Sequence, residues 1–209
     1  MPPHQYNLIA GRSIERLAAL SDGVFAVAMT LLVLDLHTPA VEAVHTEADL
    51  LHALWALAPR LLVYMMSFLT LGIFWVGQQT QLNHFERGDR DIAWVHLAFL
   101  FLVSLMPFTT SLMAGFIAYR GALMLYWLNI LLLGLVLLAS WHLAVRRGLV
   151  TDSSASLSRA ITRRIVVSQA LYAVGAALCV FSTSWSLGFI ILAQLNYAVG
   201  LGPLRRLLP

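Results

Sequence analysis

Six runs of mostly apolar residues recur along the chain, at about 17–36, 53–76, 92–113, 121–143, 164–183 and 187–204, separated by short polar breaks. About 20 apolar residues are enough to cross the roughly 30 Å hydrocarbon core of a bilayer as a helix. Inside lipid each backbone N–H and C=O must be satisfied within the segment, which selects helices for single spans. The pattern predicts an all-α integral membrane protein, one domain over 1–209 with six transmembrane helices. Composition agrees: 60% of residues are hydrophobic and 11% are charged, against about 25% charged in ordinary soluble domains. With 209 residues, six spans leave no room for a soluble catalytic domain. Arg12 and Arg16 precede the first run like the start of a signal peptide, but Glu15 and Asp22 interrupt that basic start. The first run is expected to be retained.

All 13 basic residues are arginine, and their distribution sets orientation, because basic residues of short loops stay on the cytoplasmic side. With the N-terminus inside, Arg60 and Arg120 alone fall outside; the other eleven share the inner side with both termini. The first outer loop, His37 to Leu50, carries Glu42, Glu47 and Asp49 and no arginine. So few basic residues, placed at loop ends, give no nucleic-acid-binding surface. Trp55, Trp94, Trp141 and Trp185 fall near predicted span ends, where indole rings sit at headgroup level. Leu133, inside the fourth run, is expected to face lipid.

Several chemistries are missing from the sequence. There is no TVGYG-type filter, HExxH, GxSxG, phosphate loop or arginine ladder on the fourth span. The lone Cys179 and the scattered histidines have no metal-ligand spacing. Neither an enzyme, a resident metal nor an organic cofactor is expected.

The first run carries the polar signal. An ionised aspartate in a lipid-exposed helix costs about 2.5–3.5 kcal/mol, so Asp22 must face protein or water. Arg16 lies about 240° away around the helix, which directs Asp22 to other helices. Trp75, Gln78 and His96 are the candidates there. Asp22 either fastens the bundle or takes part in moving ions. On the same helix Gly23, Val27, Leu31 and Leu34 recur at spacings of four, four and three, forming one stripe with Thr30 beside it. Such a stripe serves helix packing, or a gate that closes by dewetting if the helix lines an axis.

The run from Arg16 through Ser21-Asp22-Gly23-Val24-Phe25-Ala26 to Thr30-Leu31-Leu32-Val33-Leu34 resembles the signature of the transmembrane protein 175 family, potassium channels of lysosomes and their shorter prokaryotic relatives. Phe74-Trp75, Pro107-Phe108 and Thr110 match as well. The resemblance implies a homotetramer in which the first helix of each copy lines a central potassium pathway without a pore loop. It implies a hydrophobic constriction at Val27, Leu31 and Leu34 and potassium preference at Thr30. Arg16, Ser21 and Asp22 match the motif that ties the pore helix to its neighbours. The single-repeat length resembles the prokaryotic members, which implies a multi-pass protein of the plasma membrane. The chain departs from the family pattern at Leu20 for phenylalanine, Val27 for isoleucine, Gln78-Gln79 for a histidine pair and His96 for asparagine.

A passive, potassium-preferring cation channel is therefore expected, with self-association, lipid and monovalent cations as its partners. A secondary cation transporter is the competing class. It would show paired repeats and broken helices near the midplane; no repeat is visible, and most glycines and the prolines lie toward predicted helix ends.

Overall fold

A computed structural model describes residues 13–151 and 155–199. It is all-helical apart from one isolated bridge. The elements are α1 (Ile14–Leu31), extended by a 3-10 turn at Leu32–Asp35; a 3-10 turn at Val41–Ala43; α2 (Glu47–Ala56); α3 (Ala58–Leu82); α4 (Arg90–Ser104); α5 (Met106–Gly115); α6 (Arg120–Arg146); α7 (Ala155–Ala177), extended by Leu178–Val180; and α8 (Thr183–Val199). Five segments among the described residues are long and apolar enough to cross a membrane: Ile14–Asp35, Ala58–Leu82, Arg90–Gly115, Arg120–Arg146 and Ala155–Val180. The predicted sixth run, 187–204, coincides in part with α8, and residues 200–204 lie outside the described residues. The described part of α8 has 17 residues and rises about 25 Å.

Local chemistry sets the boundaries. Ser13 caps α1 by accepting from the Arg16 backbone N–H at 3.3 Å. Thr46 and Asp49 close a reciprocal capping box that starts α2. Pro59 occupies the first turn of α3, where its missing N–H costs nothing. The end of α2 at Ala56 and the start of α3 divide the expected second run, so the membrane segment begins at Ala58 and reaches Leu82. The expected third run is also two helices, meeting at Leu105 with Pro107 just beyond. Proline removes one helical hydrogen bond and clashes with the preceding turn, so Pro107 sits within a span and not at its end. Helix α7 begins nine residues before the expected 164, because a helix can continue past the hydrocarbon boundary through polar residues.

The loops gather at two opposite ends. At one end the α3–α4 and α6–α7 loops meet. Glu86 N–H donates to the Leu149 carbonyl at 2.9 Å, Thr151 N–H donates to the His84 carbonyl at 2.9 Å, and Phe85 bridges Val150. Arg147 there pairs with Asp89 at 2.6 Å and with Asp91. At the other end Ser111 donates to Asp35 at 2.8 Å, and Arg120 donates to the Val180 carbonyl at 2.9 Å.

The main core runs from Phe25, Ala28 and Leu32 of α1 through Phe99 and Val103 of α4 to Tyr126, Ile130 and Leu133 of α6. Leu133 is thus 0% exposed and not lipid-facing. A smaller cluster closes the Arg147 end around Trp141, which stacks on Phe85 and donates to Ser158 at 3.2 Å. Trp141 is buried, whereas Trp55, Trp94 and Trp185 are exposed.

Candidate functional site

Helix α1 has two chemically different faces. Ser21, Phe25, Ala28 and Leu32, spaced by four, three and four, are buried against the protomer. The stripe lies on the other side: Val27 is 57% exposed, Leu31 44% and Leu34 68%, and Gly23 and Thr30 are exposed with them. Intramolecular packing is therefore not what the stripe does. The 3-10 turn from Leu32 raises each residue by about 2.0 Å instead of 1.5 Å, so Val27 to Leu34 spans about 12 Å, and it brings Leu31 and Leu34 into line. Thr30 donates its hydroxyl back to the Ala26 and Val27 carbonyls, each at 2.9 Å, which leaves its oxygen lone pairs on the exposed side.

Two adjacent residues fix α1 to the rest of the bundle. Ser21 Oγ lies 2.6 Å from His96 Nε2 on α4 and 2.9 Å from the Leu17 carbonyl. Gln78 of α3 donates to Ser21 Oγ at 3.0 Å and lies 3.0 Å from the same His96 nitrogen. This trio is buried, with Ser21 0%, Gln78 2% and His96 4% exposed. Asp22 Oδ1 instead accepts from Trp75 Nε1 and Gln79 Nε2, both at 2.8 Å, at an exposed position. Of the expected partners of Asp22, only Trp75 reaches it; Gln78 and His96 serve Ser21. Gln79 is the partner that sequence reasoning passed over. It stands four residues after Trp75, one turn along the same face of α3, and that spacing was the available signal. The Arg16 side chain is exposed and meets no acidic partner among the described residues.

A second polar chain, not anticipated, crosses the interior. Thr110 donates to Ser67 at 2.8 Å, Ser67 and Thr70 each lie 3.2 Å from the Tyr126 hydroxyl, and Gln194 donates to Thr70 at 2.6 Å and Tyr172 at 3.3 Å. It joins α3, α5, α6, α7 and α8 where no water is available to their hydroxyls. Its residues are single polar positions inside apolar runs, which carry no periodic signal of their own.

Outside the membrane segments, Asp89 caps α4 by accepting from Ile92 N–H at 2.8 Å. Partial burial pushes its pKa up, but the Ile92 N–H and the Arg147 guanidinium outweigh that and hold the carboxyl below the usual carboxylate range. Arg147 is held above its ordinary value by Asp89 first and Asp91 second.

Comparison with known proteins decides the kinship. The family described as endosomal/lysosomal potassium channel TMEM175 matches residues 16–107, which holds both α1 clusters. A potassium channel of Streptomyces collinus is 33% identical over 154 residues, 72% of this chain and 73% of that one. A potassium channel of Chamaesiphon minutus is 30% identical over 189 residues, 88% of this chain and 93% of that one. The chain belongs to the TMEM175 family. The crystal structure of a lysosomal potassium-selective channel TMEM175 homolog from Chamaesiphon minutus superposes with a TM-score of 0.77 at 30% identity, covering 89% of this chain and 96% of that one. TMEM175 kinship and the apolar helices together make this chain a membrane protein of a channel family and not of an enzyme class.

Proposed function

We propose that the chain is a potassium-preferring cation channel, a homotetramer of six-helix protomers in which α1 of each copy lines a central pathway. The observation that carries this reading is the stripe of Val27, Leu31 and Leu34, exposed on a helix that is pinned along its opposite face. One stripe encloses a pathway only where copies meet around an axis. Three stacked apolar rings over about 12 Å hold such a pathway closed by excluding water until the helices part. Thr30 beside the rings offers oxygen lone pairs that discriminate between cations. The family description and the printed names of both bacterial relatives support potassium as the ion. Asp22 leaves Oδ2 without a hydrogen-bond donor among the described residues. That oxygen and the Arg16 guanidinium are left for neighbouring copies, which assigns this pair to assembly more than to permeation.

Both termini face the cytoplasm of the plasma membrane in this reading. The end joined by Arg147 and Asp89 carries most of the arginines, and the acidic loop before α2 faces outward. The test is potassium flux from liposomes at fixed voltage with no second ion gradient, together with mass measurement in detergent. A tetramer that conducts agrees with the proposal; a stable monomer, or flux that requires a coupled gradient, contradicts it.

A further inference from the structure

Helices α3, α6, α7 and α8 leave a cleft of about 220 Å³ between them, away from α1. Its floor is apolar, with Phe74, Leu137 and Ile165 among its walls, while one end carries Thr80, Arg164 and Tyr197. Thr80 stands two residues from the end of α3, and Phe74 lies about 9 Å deeper along that helix. Thr80 and Arg164 therefore lie toward the Arg147 end of the bundle, with Leu157 and Ile161 lining the cleft still nearer that end and Phe74 toward the middle of the membrane.

Arg164 makes the cleft chemically specific. Its Nε donates to the Tyr197 hydroxyl, and its guanidinium carbon lies 4.9 Å from the centre of the Tyr197 ring. Those contacts hold the group in place without neutralising it. No aspartate or glutamate pairs with Arg164 among the described residues, and its terminal nitrogens are left for another acceptor. A cation inside a membrane segment is costly unless an anion meets it. Gln169 also lines the cleft; its Nε2 is committed to the Ile130 carbonyl at 3.3 Å, while its buried Oε1 accepts nothing. The cleft thus offers a fixed cation beside an apolar slot, which suits a phosphate and an acyl chain.

We infer that this cleft binds an anionic phospholipid of the leaflet at the Arg147 end, its phosphate on Arg164 and one acyl chain along Phe74, Leu137 and Ile165. Basic pockets between transmembrane helices recognise anionic headgroups in this way. The site is independent of α1 and stands whether or not the stripe lines a pore.

The experiment is native mass spectrometry of the purified full chain with added dioleoyl phosphatidylglycerol, dioleoyl phosphatidylcholine or inorganic phosphate. One phosphatidylglycerol per protomer is expected to be retained in preference to phosphatidylcholine. Arg164→Gln should weaken that retention about tenfold, whereas Arg163→Gln, exposed and outside the cleft, should leave it unchanged. Gly77→Leu supplies a second route that keeps the arginine. Gly77 lines the cleft, and a Cβ built there stands 3.5 Å from Leu137, so the larger side chain fills the acyl slot and should expel the lipid. Equal retention of both lipids, equal weakening by Arg163→Gln and Arg164→Gln, full retention by Gly77→Leu, or competition by inorganic phosphate alone would each overturn the assignment.

Discussion

Ser21 and Asp22 are neighbours on one helix, yet their surroundings differ. Ser21 meets Gln78 and His96 in a cluster buried within one copy. Asp22 meets Trp75 and Gln79 at the protomer surface with one carboxylate oxygen to spare. Successive helical residues point about 100° apart, which turns Ser21 into the bundle and Asp22 out to the protomer surface on its flank. The contrast separates two jobs: Ser21 holds the protomer together, and Asp22, in the proposed tetramer, is the residue turned to a neighbouring copy.

The largest expected effect on the protomer comes from Ser21→Val, which keeps the shape and deletes the hydroxyl shared by Gln78 and His96. Leaving those buried groups short of a partner costs about 1–3 kcal/mol, read as a lowered midpoint of thermal unfolding in detergent. An unchanged midpoint would erase the distinction between the two residues. Asp22→Ala should shift that midpoint less, by about 1 kcal/mol or under for an exposed pair of hydrogen bonds, while tetramer and current are lost together. A mutant that assembles normally but changes ion selectivity sharply would move Asp22 from assembly to permeation.

The smallest effect is expected far from both, at Asp89 and Arg147. Because the folded Asp89 carboxyl lies below its ordinary 3.8, its stabilisation is fully present above that pH and fades as pH falls through the lower folded value. Arg147→Gln removes one of the causes, so the mutant should be less stable than the parent above pH 3.8 and its stability should fall less steeply below that pH in an acid unfolding titration. Its assembly and current at neutral pH should match the parent. Loss of either would show that the α1 comparison leaves out a long-range contribution from this end.

The two residues also show how far sequence reaches. The buried-aspartate argument found Trp75, because a charge in an apolar run demands donors on facing helices, but it grouped Gln78 and His96 with Asp22 when they belong to Ser21. Pairing depends on helix rotation, which a hydropathy pattern does not carry; only the four-residue spacing of Trp75 and Gln79 encoded it. Spans appeared as apolar runs, while the start of α7 was missed, since polarity marks the edge of lipid and not the end of a helix. Most of helix α2 was assigned to the outer loop before the second run, although Thr46 and Asp49 spelled its cap. The inner chain from Thr110 to Gln194 was illegible because its members sit on five different helices and meet only in the fold.

The account stands on the exposed face of α1 lining the pathway, and single-channel recording of Val27→Asn, Leu31→Asn and Leu34→Asn beside Leu135→Asn tests this directly. Leu135 is 49% exposed on α6 and serves as the apolar surface control that buried Leu133 does not provide. Polar groups in the rings ease wetting, so conductance should rise at each of the three stripe positions and stay at the parent value for Leu135→Asn. A control that changes conductance as much as the stripe positions do would contradict the account.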